Sequence, residues 1–304
     1  MAATVVYVHG NGNKIAPDRL KGEWDRALFG RDMGTRSAMA YWASLRYPQP
    51  LPGPVTDEND EEPAAPLPGT ESVGADSVDP LGLQAEARAE ALLELGGAES
   101  VDEKAVELDD WLQRMAFQAD ALVEGEETEP LPPGLEALPL PRAVRVAIFR
   151  QLVKRTFTDV YAYFFGGYGE QMRDVVRRTL DAVDGPVVVV SHSLGTIIAY
   201  DVLREASAQE RRVPLFVTAG SPLGVNEVQD LVRRPLHVPA GVEAWRNVCD
   251  ARDLVALDHT IRPEYIPAER CSDFFVMNSS KNHHGIGEYL AAPAIRDVVR
   301  SLVE

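Results

Sequence analysis

Four consecutive valines, Val187–Val190, run unbroken into Ser191-His192-Ser193-Leu194-Gly195 and then into a stretch that reads as a helix from Thr196 to Ser207. Branched apolar residues that never alternate with polar ones spell a strand buried on both faces, the kind found in parallel sheets with helices on either side. Small residues at 191, 193 and 195 let the chain reverse sharply at the end of that strand. Strand, tight turn and helix in this order put the Ser193 hydroxyl at the tip of the turn, with the amides and positive end of a helix behind it. Five residues alone would be a weak signal. The strand before them and the helix after them make Ser193 a candidate nucleophile.

The same rhythm extends around this point. Thr4–Val8 reads as another buried strand, His9-Gly10-Asn11-Gly12-Asn13 breaks it, and Trp24–Phe29 reads as a short helix. A strand is expected around Arg36–Tyr41, a helix from Glu170 to Val183, and strands at Leu215–Thr218, Val242–Val248 and Asp273–Met277. A last helix spans Pro293–Val303, with proline at its start. Strands alternating with helices imply an α/β protein with a mostly parallel central sheet flanked by helices.

Between Pro48 and residue 165 the composition changes. Pro48–Pro80 is rich in Pro, Gly, Asp and Glu, and reads as a long solvated loop. Helices are expected at Leu81–Leu95, behind a capping box at Ser100–Glu103, and from Pro141 onward. From Val55 to Leu140 there are 23 acidic residues against three basic ones, a balance of −20 in a chain whose total is −17, so the remainder carries +3. The expected organisation is a near-neutral core, residues 1–47 and 166–304, carrying an acidic helical insertion at 48–165. Such an insertion repels nucleic acid and anionic membrane surfaces, though it suits a protein partner. No apolar run approaches the roughly 20 residues that cross a bilayer, and no leader pattern opens the chain, so a cytoplasmic protein is expected. Cys249 and Cys271 sit in apolar stretches and read as buried thiols.

A serine hydroxyl needs a histidine to take its proton, and the histidine needs a carboxylate to fix its tautomer. Downstream of Ser193, the strand Val242–Val248 leads into Cys249–Asp258, where Asp253 is the first candidate acid. Asp250 is the alternative, read rather as a turn-stabilising residue, with Asp258 behind it. After the last strand, His283 and His284 are the candidate bases, His284 preferred for its place at the mouth of the helix bearing Tyr289 and Leu290. An acyl-transfer site also needs two donors for the tetrahedral oxyanion. The backbone amide of Leu194 supplies one, and the loop after the first strand the other, from Asn11 or alternatively Gly10. His9 is expected to brace that loop.

With these residues in place, the chain resembles the α/β-hydrolase superfamily, and within it the lipase- and esterase-like members. The resemblance covers about Thr4–Tyr47 and Phe165–Val303. Ser191–Gly195 resembles the Gly-x-Ser-x-Gly elbow, with Ser191 in place of the first glycine. Thr218–Leu223 is similar to a Gly-Ser-Pro segment, Asn247–Ala256 to an Asn-x-x-Asp-x-Val-Pro stretch bearing the acid, and His284 through Leu290 to a terminal His-to-Tyr-Leu pattern. The early antiparallel strands of larger members are missing. The resemblance implies an α/β-hydrolase fold and cleavage of small-molecule or lipid carboxylic esters, and it makes the insertion a possible lid. Acyl transfer or thioester cleavage by the same triad is an alternative, as is a non-catalytic scaffold on this fold. Motifs for metals, nucleoside phosphates and dinucleotides are absent from the sequence, so no cofactor and no metal are expected.

Overall fold

The computed structural model describes residues 2–53, 153, 157–205, 207, 208, 210–253, 255, 256, 258–279 and 283–304. The expected helices at 81–95, behind Ser100 and from Pro141, and most of the acidic insertion, lie outside these residues.

Six strands form one sheet: β1 (Thr4–Val8), β2 (Ser37–Ala40), β3 (Val187–His192), β4 (Leu215–Ala219), β5 (Trp245–Asp250) and β6 (Cys271–Val276). Their order is β2-β1-β3-β4-β5-β6, and every pairing is parallel. The central valines explain why. Val187 and Val189 point into one apolar cluster with Val6 and Val8, whereas Val188 and Val190 point into another with Val5 and Tyr7. Side chains alternate across a strand, so an all-valine strand demands a covering layer on both faces.

Both layers are present. On one face lie α1 (Pro17–Phe29), α6 (Ile286–Ala291) and α7 (Pro293–Val303), with Trp24, Leu28, Tyr289, Ile295 and Val299 buried. On the other lie α2 (Thr158–Phe164), α3 (Gly169–Asp181) and α4 (Leu194–Leu203), contributing Ala162, Met172, Val176, Ile197 and Ile198. A one-turn helix, α5 (Asn226–Gln229), follows β4. Helix α2 belongs to the stretch that the sequence assigns to the insertion, yet Ala162 and Tyr163 are buried in the common core.

Several boundaries differ from those expected. Helix α1 begins at Pro17 rather than Trp24, because Leu20 already lies on its buried face. Helix α4 begins at Leu194, directly after the elbow, and ends at Leu203. Val242 makes only a bridge to Val213, and the ladder of β5 starts at Trp245. No helix among the described residues is long and apolar enough to cross a membrane.

The order places a reversal between β1 and β3: from β1 the chain builds outward to β2, then returns past β1 to build the other way. Parallel sheets open a crevice outside the carboxyl ends of their strands at such a point. The loops after β1, β3, β4, β5 and β6 all leave the sheet on that edge.

Candidate active site

Ser193 is the residue between β3 and α4, with φ 50° and ψ −130°. A non-glycine side chain at positive φ is strained and is kept only where the surroundings over-determine it. Here they do. The Ser193 amide donates to the Ala219 carbonyl at 3.1 Å, and its carbonyl accepts from Thr196 Oγ1 at 2.7 Å. Small neighbours are mandatory: a Cβ on Gly195 would lie 2.4 Å from the carbonyl oxygens of Val8 and His9, and one on Gly10 would lie 2.7 Å from Ser193 Cβ. Ser191, which stands where the resembled motif has glycine, turns its hydroxyl to the Val217 carbonyl at 2.8 Å.

The two loops beyond β5 and β6 bring Asp253 and His284 together. His284 Nδ1 is 2.8 Å from Asp253 Oδ2, and both residues are buried. The same Oδ2 accepts from the Tyr289 hydroxyl at 2.7 Å, while Oδ1 accepts from the Val255 and Ala256 amides at 3.0 and 3.4 Å. Tyr289 in turn accepts from the Asp250 amide. Burial, together with the Asp253 charge, raises the Tyr289 hydroxyl well above its ordinary range, so it remains a donor.

The alternatives are engaged elsewhere. Asp250 accepts from the Arg252 and Asn278 amides, the turn role expected of it. His283 directs Nδ1 to the Asn278 carbonyl at 3.0 Å. Asp258 caps the exposed Thr260 turn.

The pair lies beside the elbow. Gly220, at φ 51°, follows the residue that bonds the Ser193 amide, and a Cβ on it would meet Asp253 Oδ2 at 2.7 Å and His284 Nδ1 and Cε1 at 2.8 Å. His192 closes the other flank. Its ring centroid is 4.4 Å from that of His284, and its Nε2–H donates to the His284 carbonyl at 2.9 Å. Burial foremost, then the charge on His284, pushes the His192 pKa well below the usual histidine range, so it stays neutral with its proton on Nε2.

The loop after β1 is held from several sides. His9 Nδ1–H donates to the Gly10 carbonyl at 2.9 Å, and His9 Nε2 accepts from the Trp42 and Ala43 amides. Burial and the Lys14 charge push the His9 pKa down to about 3. A trans peptide points its carbonyl and its N–H in opposite directions. With the Gly10 carbonyl fixed on His9, the Asn11 N–H therefore points the other way. Lys14 Nζ donates to the Asn11 carbonyl at 2.6 Å, and the Gly12 amide donates to Asp159 Oδ2 at 2.8 Å. Among the described residues, the Asn11 and Leu194 amides donate to no protein group.

Four of these supporting residues, Tyr289, His192, Gly220 and Asp159, have no role legible in the sequence alone. His192, Gly220 and Tyr289 lie inside recognised segments, so adjacency is the available signal. For Asp159 there is none.

Fold and site together define an α/β protein with an all-parallel sheet, compatible with an α/β-hydrolase. No protein-family model matches the chain, and no curated protein matches it.

Proposed function

We propose that this chain is a serine hydrolase that cleaves carboxylic esters through an acyl-enzyme. The observation that carries the reading is the buried 2.8 Å pair of His284 and Asp253, packed on Gly220 next to the strained Ser193. Asp253 takes the Nδ1–H, which makes Nε2 the basic nitrogen of His284. In this reading Ser193 Oγ attacks the ester carbonyl and gives its proton to Nε2. The imidazolium then passes that proton to the leaving alcohol, and water repeats the sequence to release the acid. The Leu194 amide, at the start of α4, and the Asn11 amide stabilise the oxyanion. Gly10 is the weaker choice for that second donor, because the peptide whose carbonyl His9 holds is the one that carries the Asn11 N–H. The insertion is read as a lid, and α2, at its described end, meets the loop after β1 through Asp159 and the Gly12 amide.

A fluorophosphonate probe tests the proposal. Labelling at Ser193 is expected, together with hydrolysis of short p-nitrophenyl esters that Ser193→Ala abolishes. Failure of folded protein to label, or a Ser193→Ala variant with full activity, overturns it.

A further inference from the structure

We infer that Asp159, acting with Lys14, is a positioning residue that sets the aim of the oxyanion loop. This rests on the reading of Ser193 and Asn11 above. The Asn11–Gly12 peptide is pinned at both ends by charges of opposite sign. Its carbonyl accepts from Lys14 Nζ at 2.6 Å, and its N–H donates to Asp159 Oδ2 at 2.8 Å. A peptide unit is planar, so fixing both of its poles fixes its rotation. That rotation sets ψ of Asn11, and with it the position of the Asn11 amide relative to Ser193.

Asp159 is built to hold this position. It is fully buried, receives the Tyr47 hydroxyl at 3.1 Å, and lies 3.5 Å from the buried Arg46 guanidinium. Burial raises its pKa, while the Gly12 amide, Arg46 and Tyr47 oppose the shift. Lys14 faces it from the loop itself. The carboxylate arrives from α2, 147 residues further along the chain, so the loop's geometry depends on a segment from the far end of the insertion.

Oxyanion donors act in the transition state rather than in substrate binding. Asp159→Ala is therefore expected to lower kcat by about 10- to 100-fold with KM within about twofold, given that a lost donor costs roughly 10²–10³. Asp159→Asn keeps an acceptor for the Gly12 amide and should recover most of the rate. Lys14→Met should lower kcat too, and the double variant with Asp159→Ala should be little worse than either single one, because both hold the same peptide. The acidic limb of the pH–rate profile, which reports His284, should not move. Fluorophosphonate labelling of each variant, alongside thermal melts, shows that Ser193 is in place and the chain folded. An Asp159→Ala variant that folds, labels and keeps its kcat, or one whose loss lies wholly in KM, overturns the inference. If the wild-type protein does not label, it is the reading of Ser193 that fails instead.

Discussion

Replacing Gly220 by alanine probes the proposed acid–base pair, Asp253 and His284, with a single methyl group. Two costs are expected, and they are separable. The first is backbone strain, because φ is 51° and an L-residue there loses about 1–2 kcal/mol. The second is steric. The added carbon would sit 2.7 Å from Asp253 Oδ2 and 2.8 Å from His284 Nδ1 and Cε1, against ordinary contact from 3.4 Å, so each must retreat by about 0.6–0.7 Å. Neither side chain can do so freely. Asp253 is held by Tyr289 and two backbone amides, and His284 is flanked by the His192 ring. Displacements near 1 Å at a reacting group cost on the order of 10²-fold in rate. Gly30→Ala supplies the control, since Gly30 has φ 73° and nothing within 4 Å of the added carbon. Each variant should lose roughly 2–4 °C in Tm per kcal/mol of strain. Only Gly220→Ala should also lose about 10²-fold in kcat/KM on p-nitrophenyl esters, measured where circular dichroism shows both folded. A folded Gly220→Ala within about threefold of Gly30→Ala would refute the placement of the pair beside Ser193.

Asp253→Asn should lower kcat on the order of 10⁴-fold with little change in fold, because the amide presents the wrong partner to His284 Nδ1; a loss under about tenfold would exclude Asp253 as the acid. Buried His9 stays neutral down to about pH 3, whereas an unfolded histidine takes its proton near 6.5. The unfolded chain therefore binds more protons between those values. Stability from His9 is full above pH 6.5 and is lost as pH falls toward 3, by up to about 1.4 kcal/mol per pH unit. Urea melts from pH 7 to pH 4 should show a steeper decline in the wild-type protein than in His9→Gln, and equal slopes would count against a buried neutral His9.

What is legible in the sequence follows from period and punctuation. Val187–Val190 and Thr4–Val8 are continuously apolar or β-branched, so burial on both faces can be read from the residues alone. The elbow is readable because a strand and a helix abut with only a short turn of small residues between them. The start of helix α1 is harder to read, because Asp18, Arg19, Lys21 and Glu23 surround the buried Leu20 and obscure its period. Asp159 is invisible for a different reason. An acidic residue in the first turn of a helix ordinarily serves the helix dipole from the surface, and nothing in sequence distinguishes it from one that is buried and bonded across 147 residues. Gly220 is similar: its place in a Gly-Ser-Pro run is plain, but its role as the surface on which Asp253 and His284 lie requires distances.

The strand order explains how so few elements hold the whole site. Because β1 and β3 are neighbours at the reversal, the loop after β1 and the elbow after β3 are forced together, with Val8 paired to Ser191 in register. Topology thus sets the side that carries the proposed oxyanion donors, and Asp159 and Lys14 hold the Asn11–Gly12 peptide there. The side that holds the Asp253–His284 pair has no such help. Asp253 and His284 stand on loops beyond β5 and β6, two and three strands away from β3, and must reach back over β4. Gly220, at the end of β4, removes the side chain that would block them, and Tyr289 ties Asp253 to the end of β5 from the opposite layer. A positive-φ glycine at that position and a tyrosine in the short helix after His284 are therefore consequences of the strand order. Each spans a gap that the sheet leaves open.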